Sequence, residues 1–189
     1  MRKIEIKEDK EKKESRNKLI IGIILVGIMV VSTAGYAFFS TEKSSIKKID
    51  YRGVKFILQD DGLWHTEIQS YDFSFVFNPK DTENISISMN FTINDYASKP
   101  LYFSSDSNRQ ATEEIVRNIA RFSSRTQYVC LDECEENLPV KNCSENVIAV
   151  KEINESLIKQ EDKCIYILAN QEEILKAGDA FIFRLLGIQ

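Results

Sequence analysis

Four cysteines are the residues of this chain best suited to chemistry. Cys130, Cys134 and Cys143 lie in the stretch "CLDECEENLPVKNC", and Cys164 follows further along the chain. Thiolates in such a group can bind a metal ion, act as a redox dithiol or join in disulfides. The choice depends on the compartment, because disulfides persist in oxidising surroundings and are rare in the cytosol.

The spacing of the cysteines favours two disulfides. Structural zinc sites take short Cys-x2–4-Cys pairs from two knuckles, and Cys143 and Cys164 are too far apart to form the second one. A Cys-x-x-Cys dithiol is absent from the sequence. Metal binding and free buried thiols remain as alternatives. Of the three possible pairings, we expect Cys134–Cys143, which would close the loop "EENLPVKN", and Cys130–Cys164, which would join two strand ends.

Other side chains with catalytic chemistry lack a recognisable pattern. The single histidine, His65, follows Trp64 on a predicted strand, and a general base would need a nucleophile or a carboxylate beside it. We interpret it as a half-exposed strand residue. We predict no catalytic, cofactor-binding or metal-binding residue and no cofactor. The alternative is a membrane-tethered hydrolase, whose site would gather carboxylates such as Asp60, Asp61 or Asp72.

An acidic cluster surrounds Cys134, formed by Asp132, Glu133, Glu135 and Glu136. Calcium loops space their oxygen ligands in a regular alternation and contain a turn glycine. That spacing is missing here, so the sequence predicts a solvated acidic loop rather than a cation site.

Four Asn-x-Ser/Thr sequons make N-glycosylation possible at Asn84, Asn90, Asn142 and Asn154. Chance alone gives roughly one or two such triplets in a chain of this composition. All four follow the apolar segment described next, as do all four cysteines. Both features agree with a domain outside the cytoplasm.

Residues 19–41 form an uncharged run, "LIIGIILVGIMVVSTAGYAFFST". As a helix these 23 residues span roughly 34 Å, enough for a hydrocarbon core of about 30 Å. Seven Lys/Arg lie within 16 positions before the run and four just after it, which predicts a cytoplasmic N-terminus. The sequence thus predicts a protein of the cell membrane. It would have a cytoplasmic tail over 1–18, a transmembrane helix and a domain outside. A signal peptide cleaved after "GYA" is the alternative, and it would make the protein secreted.

Charge limits the classes of partner. Residues 1–18 carry a net charge of +3, whereas residues 40–189 carry −7. A domain at −7 repels phosphate backbones, so we expect no nucleic-acid partner. The expected partners are the lipid bilayer, through residues 19–41, and an envelope protein or glycan.

The outer domain is predicted to consist of two blocks, which follow a polar tether over 42–50. Residues 51–98 predict an antiparallel four-stranded meander, with a hairpin at "VKFILQDDGLWHTEI", an aromatic row at Phe73, Phe75 and Phe77, and a strand over 85–93. That strand alternates apolar and polar residues without error, which would turn Asn90 outward. A meander of this kind buries one face.

Residues 99–189 predict a small α/β sandwich with the order β-α-β-β-β-α. One helix lies in "DSNRQATEEIVRNIARFSS", and the last begins at Asn170 as N-cap with Glu173 three residues on. Ile174, Ala177, Phe181 and Leu185 form its apolar stripe. The predicted fold class is α+β: a transmembrane helix, an antiparallel β-rich block and this sandwich.

The run "MVVSTAGYAFFS", the cysteine loop and the closing "KAGDAFIFRLLGI" resemble an uncharacterised family of small single-pass membrane-anchored archaeal proteins. The strand–helix ending is also similar in layout to C-terminal modules of archaeal surface-layer proteins. The resemblance implies an envelope protein and carries no catalytic motif. We therefore expect a single-pass protein whose outer domain acts in binding or envelope structure.

Overall fold

The chain forms two compact units, residues 1–45 and residues 46–189. A computed structural model describes residues 7–39, 47–131, 134 and 136–189. The first unit is helix α1 (Lys7–Phe39), and the second is an α+β domain. Helix α1 begins inside the predicted tail 1–18, and positions 40–41 of the predicted transmembrane segment lie outside the described residues.

Helix α1 is long and apolar enough to cross a membrane. Its 33 residues extend roughly 50 Å at the usual helical rise. The window Ser15–Ser32 has a mean hydropathy of 1.7, and none of it is buried within the chain. Its large apolar side chains between positions 19 and 31 are 46–72% exposed.

The domain contains eleven strands and three α-helices within its described residues. In chain order they are β1 (Lys48–Tyr51), β2 (Val54–Leu58), β3 (Trp64–Ile68), β4 (Tyr71–Phe75), β5 (Ser86–Ser88), α2 (Ile93–Tyr96), β6 (Pro100–Ser104), α3 (Arg109–Ile119), β7 (Arg125–Leu131), β8 (Val140–Lys141), β9 (Val147–Glu152), β10 (Leu157–Glu161), β11 (Cys164–Ala169) and α4 (Ile174–Leu185). A short 3-10 turn, Ala120–Phe122, extends α3. These elements form two sheets with helices between them.

Strands β1 to β4 form an antiparallel meander, which we call sheet A. The predicted hairpin is confirmed: β2 and β3 pair across a turn in which Gly62 takes φ +80°. The predicted tether over 42–50 is wrong from Lys48 onward, because Lys48–Tyr51 is a strand that pairs with Val54–Leu58. Residues 42–46 of the tether lie outside the described residues.

The predicted strand over 85–93 is wrong in its length and its partner. Only Ser86–Ser88 is a strand, and it pairs in parallel with β10 rather than with the meander. The alternation did predict burial, since Ile85 and Met89 are buried and Asn90 is exposed. The ladder ends because the Asn90 backbone N–H donates to the Gln160 side chain at 2.9 Å, and Thr92 and Asp95 then cap α2.

The other seven strands form sheet B in the order β5-β10-β11-β9-β6-β7-β8. Strands β11, β9, β6, β7 and β8 run parallel, and β10 is antiparallel to β11. The predicted order β-α-β-β-β-α is confirmed for β6, α3, β7, β9, β11 and α4, and the structure adds two strands, β8 and β10, that were not predicted. Sheet B is therefore mixed, and its crossover from β6 to β7 runs through α3.

Helices α3 and α4 lie between the two sheets. Phe183 of α4 packs against Phe56 and Phe75 of sheet A at ring-centroid distances of 5.8 and 4.4 Å. The same core contains Ile148 and Ile165 of sheet B, so the predicted blocks 51–98 and 99–189 are one unit rather than two. A helix that is apolar on most sides fits only a layer covered from both directions, which is where α4 lies.

The helix caps match the sequence in part. The Asn108 side chain accepts a hydrogen bond from the Ala111 backbone N–H and caps α3. The Asn170 side chain accepts from the N–H groups of Glu172 and Glu173, and α4 begins at Ile174. The prediction of Asn170 as the N-cap is therefore wrong: Asn170 stabilises the turn before the helix, the N-cap is Glu173, and the Glu173 carboxylate bonds Asn84 and Ser156.

Candidate functional site

The four cysteines form two disulfides, but in a different pairing from the expected one. Cys130 joins Cys134, and Cys143 joins Cys164, with Cα atoms 5.8 and 4.9 Å apart. The backbone explains the second bond: the Lys163 N–H donates to the Cys143 carbonyl at 3.0 Å, which sets that loop beside the start of β11. The pairing Cys134–Cys143 with Cys130–Cys164 is therefore wrong. Neither metal binding nor free thiols apply to these four residues.

The Cys143–Cys164 bond covers part of the face of sheet B that points away from the helices. Side chains alternate along β11, so Ile165 joins the helix-side core and Cys164 points to the other side. There Cys164 packs in a second apolar cluster with Tyr102, Val129 and Val147. This disulfide therefore closes a small core of its own on the outer face.

The outer face of sheet A holds a groove of about 740 Å³. Side chains alternate along the strands, so Phe56 and Phe73 point inward and the side chains next to them point outward. The outward side chains that line the groove and carry its chemistry are Lys55, Ile57, His65, Glu67 and Asp72. We call this surface the sheet A groove.

His65 lies in the groove beside Asp61, the residue four positions earlier. The His65 Nε2 and Asp61 Oδ2 atoms are 2.8 Å apart, and the other Asp61 oxygen accepts the Leu63 N–H at 2.9 Å. These two hydrogen bonds, the one from Leu63 first, lower the pKa of Asp61. The turn between β2 and β3 thus orients the imidazole, which the sequence analysis interpreted as that of a half-exposed strand residue.

Residue types found in catalytic sites lie at the groove, but within the described residues no hydrogen bond joins a nucleophile to His65. Ser74 is the cross-strand partner of His65, but within the described residues no hydrogen bond joins its hydroxyl to the imidazole. The Ser74 backbone is held from behind by the Asn118 side chain. Of the three carboxylates expected at a hydrolase site, Asp61 bonds His65 and Asp72 lines the groove, whereas Asp60 is simply exposed.

The charges of the groove favour a cationic ligand. Glu67 and Asp72 are cross-strand partners, and two carboxylates directly opposite each other repel. Lys55 is the lysine in the lining, so the carboxylates exceed the fixed positive charge. A guanidinium or ammonium group of a partner would relieve this repulsion. No group of three or more metal-ligating side chains occurs in the described part of the chain.

A second polar cluster is buried between the helices. Asp179 of α4 is 0% exposed and Glu114 of α3 is 3% exposed. Asp179 accepts the Phe77 N–H at 2.8 Å, while Glu114 pairs with Arg117 and receives the Asn118 amide. Burial raises the pKa of Asp179 well above its usual range, and the negative charge of Glu114 is the second cause of this rise. Asp179 does not line the sheet A groove, so this cluster ties the helix layer together.

Sequence reasoning missed a polar network at the carboxyl ends of β6 and β9, the edge where open parallel sheets bind ligands. Asp106 receives Lys151 at 2.8 Å and the Ser104 hydroxyl at 2.5 Å, and Asn108 donates to Glu152 at 2.7 Å. Partial burial opposes ionisation of Asp106, but these bonds outweigh it and lower its pKa. The network is satisfied internally, so it fastens the start of α3 rather than offering free ligands.

The remaining predicted sites have simple outcomes. All four sequon asparagines, Asn84, Asn90, Asn142 and Asn154, are exposed. Of the acidic cluster around Cys134, Asp132, Glu133 and Glu135 lie outside the described residues. The prediction of a solvated acidic loop there stays a prediction.

No family model, curated protein or solved structure matches this chain. A proposal about the function of this chain therefore has to rest on its own geometry. The resemblance to a small archaeal membrane-anchored family stays a prediction.

Proposed function

We propose that the protein is a single-pass membrane protein whose α1 helix anchors a disulfide-bonded domain outside the cytoplasm, where the domain binds a partner through the sheet A groove. The observation that carries this proposal is the exposed apolar surface of α1. Eleven large apolar side chains between positions 19 and 31 are exposed. Burial is worth roughly 1.5–3 kcal/mol for each such side chain, so lipid would stabilise this surface strongly.

Charge and cysteine chemistry support the orientation. The basic residues before position 19 favour a cytoplasmic N-terminus, since positive flanks stay inside. Both disulfides lie in the domain after α1, and disulfides persist in oxidising compartments. The two features are independent, and both favour a domain on the outer side.

The groove supports binding better than catalysis. Its paired carboxylates, Glu67 and Asp72, offer a cationic side chain two acceptors, and Ile57 adds an apolar contact. The hydrolase alternative needs a nucleophile joined to His65, and the described structure joins only Asp61 to it. The partner we propose is a basic patch on another envelope protein.

Anchoring and orientation can be tested on the full chain with a tag at each end. We expect both tags in one band that stays in the membrane pellet after an alkaline carbonate wash. Protease added to intact cells should remove the C-terminal tag and spare the N-terminal one. A band that has lost its N-terminal tag would show a cleaved signal and a secreted protein, and a protected C-terminal tag would overturn the orientation.

Binding can be tested by replacing Ile57, which is 36% exposed in the groove, with arginine. Ile57→Arg adds a positive charge where the partner's cation would lie, so the complex recovered by crosslinking in native membranes should disappear. Val140→Arg is the matched control, because Val140 is an exposed β8 residue outside the groove. Equal recovery with both variants would show that this groove is not the binding surface.

A further inference from the structure

The four sequons have different surroundings although all four asparagines are exposed. Glycosylation joins the asparagine Nδ2 to the anomeric carbon of a sugar carried on a lipid phosphate or pyrophosphate. The Nδ2–C bond forms, the C–O bond to the phosphate breaks, the lipid phosphate leaves, and Nδ2 gives up a proton. The side-chain amide must therefore be free to enter a transferase site, and exposure alone does not ensure this.

Asn84 has its amide nitrogen held by a charged partner. Its Nδ2 donates to the Glu173 Oε1 atom at 3.2 Å. Glu173 also accepts the Ser156 hydroxyl and lies 3.7 Å from the Lys176 ammonium. The hydrogen bonds from Ser156 and then Asn84 lower the pKa of Glu173, so the partner of Asn84 is an ionised carboxylate.

Asn142 is locked within its own sequon. Its Oδ1 accepts the Ser144 backbone N–H at 3.0 Å and the Ser144 hydroxyl at 2.6 Å. The middle residue of the triplet, Cys143, is joined to Cys164 at the start of β11. The Asn142 Nδ2 atom forms no hydrogen bond in the described structure, so this triplet is restrained through its Oδ1 atom and through the disulfide at Cys143.

Asn90 and Asn154 differ from the other two because neither side chain forms a hydrogen bond within the described structure. Asn90 follows β5 and is held only through its backbone N–H, which donates to Gln160. Asn154 lies in the short connection between β9 and β10, where the described chain forms a bend. Their amide nitrogens can be withdrawn without breaking a side-chain bond.

We propose that Asn90 and Asn154 are the N-glycan acceptors of the folded domain, and that the fold withholds Asn84 and Asn142. This inference rests on the proposed function for the placement of the domain outside the cytoplasm. It goes further in naming the modified residues and the class of donor, a lipid-linked oligosaccharide.

Glycans at these two positions would lie at opposite ends of one sheet edge. Strand β5 is an edge strand of sheet B, and it runs parallel to β10 with Ser86 opposite Leu157 and Ser88 opposite Lys159. Asn154 precedes β10, and Asn90 follows β5. Exposed strand edges invite pairing with other chains, so glycans there would shield the free edge of sheet B.

The test uses purified full-length chain in detergent, a single-subunit oligosaccharyltransferase that accepts Asn-x-Ser/Thr, and a lipid-linked oligosaccharide. Occupancy at each sequon is read by mass spectrometry of glycopeptides. We expect Asn90 and Asn154 to be modified about tenfold more than Asn84, because Asn84 must first break a hydrogen bond to a charged group. Asn142 should also stay low.

Two further arms separate the effect of the fold from that of the local sequence. The reduced and unfolded chain should accept glycans at all four sites. Glu173→Ala should raise occupancy at Asn84 about tenfold and leave Asn142 unchanged. Equal occupancy of Asn84 and Asn90 in the folded wild-type chain, or no transfer to Asn90 and Asn154, would overturn the inference. Because the assay uses purified protein, its result is separate from that of the protease test of orientation.

Discussion

Helices α1 and α4 are both rich in apolar residues, but among the side chains that the structure describes, those of α4 are mostly buried and those of α1 are exposed. Phe181, Phe183 and most other side chains of α4 are buried between sheets A and B. The apolar side chains of α1 between positions 19 and 31 are exposed. An apolar sequence therefore indicates that a helix has to be buried. Whether protein can bury it depends on the rest of the chain.

The two helices also differ in how they carry charge. Positions 19–39 are free of charge, whereas α4 contains Asp179 at its buried centre. A core helix can hold an acid because neighbouring elements supply a backbone N–H and a nearby Arg117. A helix in hydrocarbon has no such neighbours, and a charge there is costly. Changes in α1 should therefore alter membrane retention, and changes in α4 should alter domain stability.

The largest effect is expected from charges in the middle of α1. The double variant Ile24→Arg/Val26→Arg should lose membrane retention, because each arginine near a helix centre costs about 2.5–3.5 kcal/mol. Domain unfolding should not change. Val140→Arg with Ile153→Arg, at exposed domain positions, is the control and should stay in the membrane pellet. A retained double variant would mean that α1 does not span the bilayer.

The reverse pattern is expected for α4. Phe183→Ala removes a fully buried ring that contacts Phe56 and Phe75, and it should destabilise the domain by about 3–5 kcal/mol in urea unfolding of the solubilised chain. Membrane retention should be that of wild type. Val140→Ala, at a 62% exposed position, should shift stability by less than about 0.5 kcal/mol. A similar small effect for Phe183→Ala would contradict the three-layer packing.

The disulfides should act on the domain alone and unequally. Cys143→Ala/Cys164→Ala opens a loop of sequence separation 21 and should cost about 3 kcal/mol by loop entropy. Cys130→Ala/Cys134→Ala opens one of separation 4 and should cost about 2 kcal/mol. Urea unfolding of the two double variants checks the order. If the short loop proved the more stabilising, the covering role of the Cys143–Cys164 bond would be wrong.

The effect expected from the buried acid of α4 is a slope of stability with pH rather than a fixed loss. The pKa of Asp179 is raised in the folded state. The contribution of this group to the free energy of unfolding is therefore complete below the ordinary aspartate pKa and is lost as pH rises through the raised value. Over that interval the free energy of unfolding should fall by at most about 1.4 kcal/mol per pH unit. Asp179→Asn mimics the protonated acid and should remove this slope.

The matched control for that variant is Asp60→Asn, which removes an exposed acid. Stability is measured by urea unfolding between about pH 4 and about pH 9, the range in which a raised carboxyl titrates. The Asp179→Asn variant should gain stability relative to wild type as pH rises, and the Asp60→Asn variant should run parallel to wild type. Parallel curves for all three proteins would show that Asp179 is ionised in the folded state.

Local patterns predicted much of the fold because they depend on neighbours along the chain. The hairpin around Gly62 and the burial alternation from Ile85 to Met89 both follow from local spacing. The prediction of a strand over 85–93 was wrong because it depended on which strand would be its partner. Alternation states which side chains face inward, but it does not say whether β4 or β10 supplies the hydrogen bonds.

The site was less predictable than the fold. His65 and Asp61 are both candidates from the sequence, yet their contact depends on how the β2–β3 turn closes. The facing of Glu67 and Asp72 depends on strand register, since a slip by one residue would turn both side chains to the other face. No short motif encodes a groove of this kind.

The sequence by itself determined that an uncharged apolar run over 19–41 precedes an acidic α+β domain with an even number of cysteines. Tertiary structure decided which cysteines pair, which strand joins which sheet and which carboxylate holds the amide of Asn84. The reason is energetic: the summed loop-entropy terms of the expected and the observed pairing differ by only about 1 kcal/mol, so loop length alone is a weak guide to pairing. Long-range packing makes that choice by setting Cys143 beside β11 and Glu173 beside Asn84.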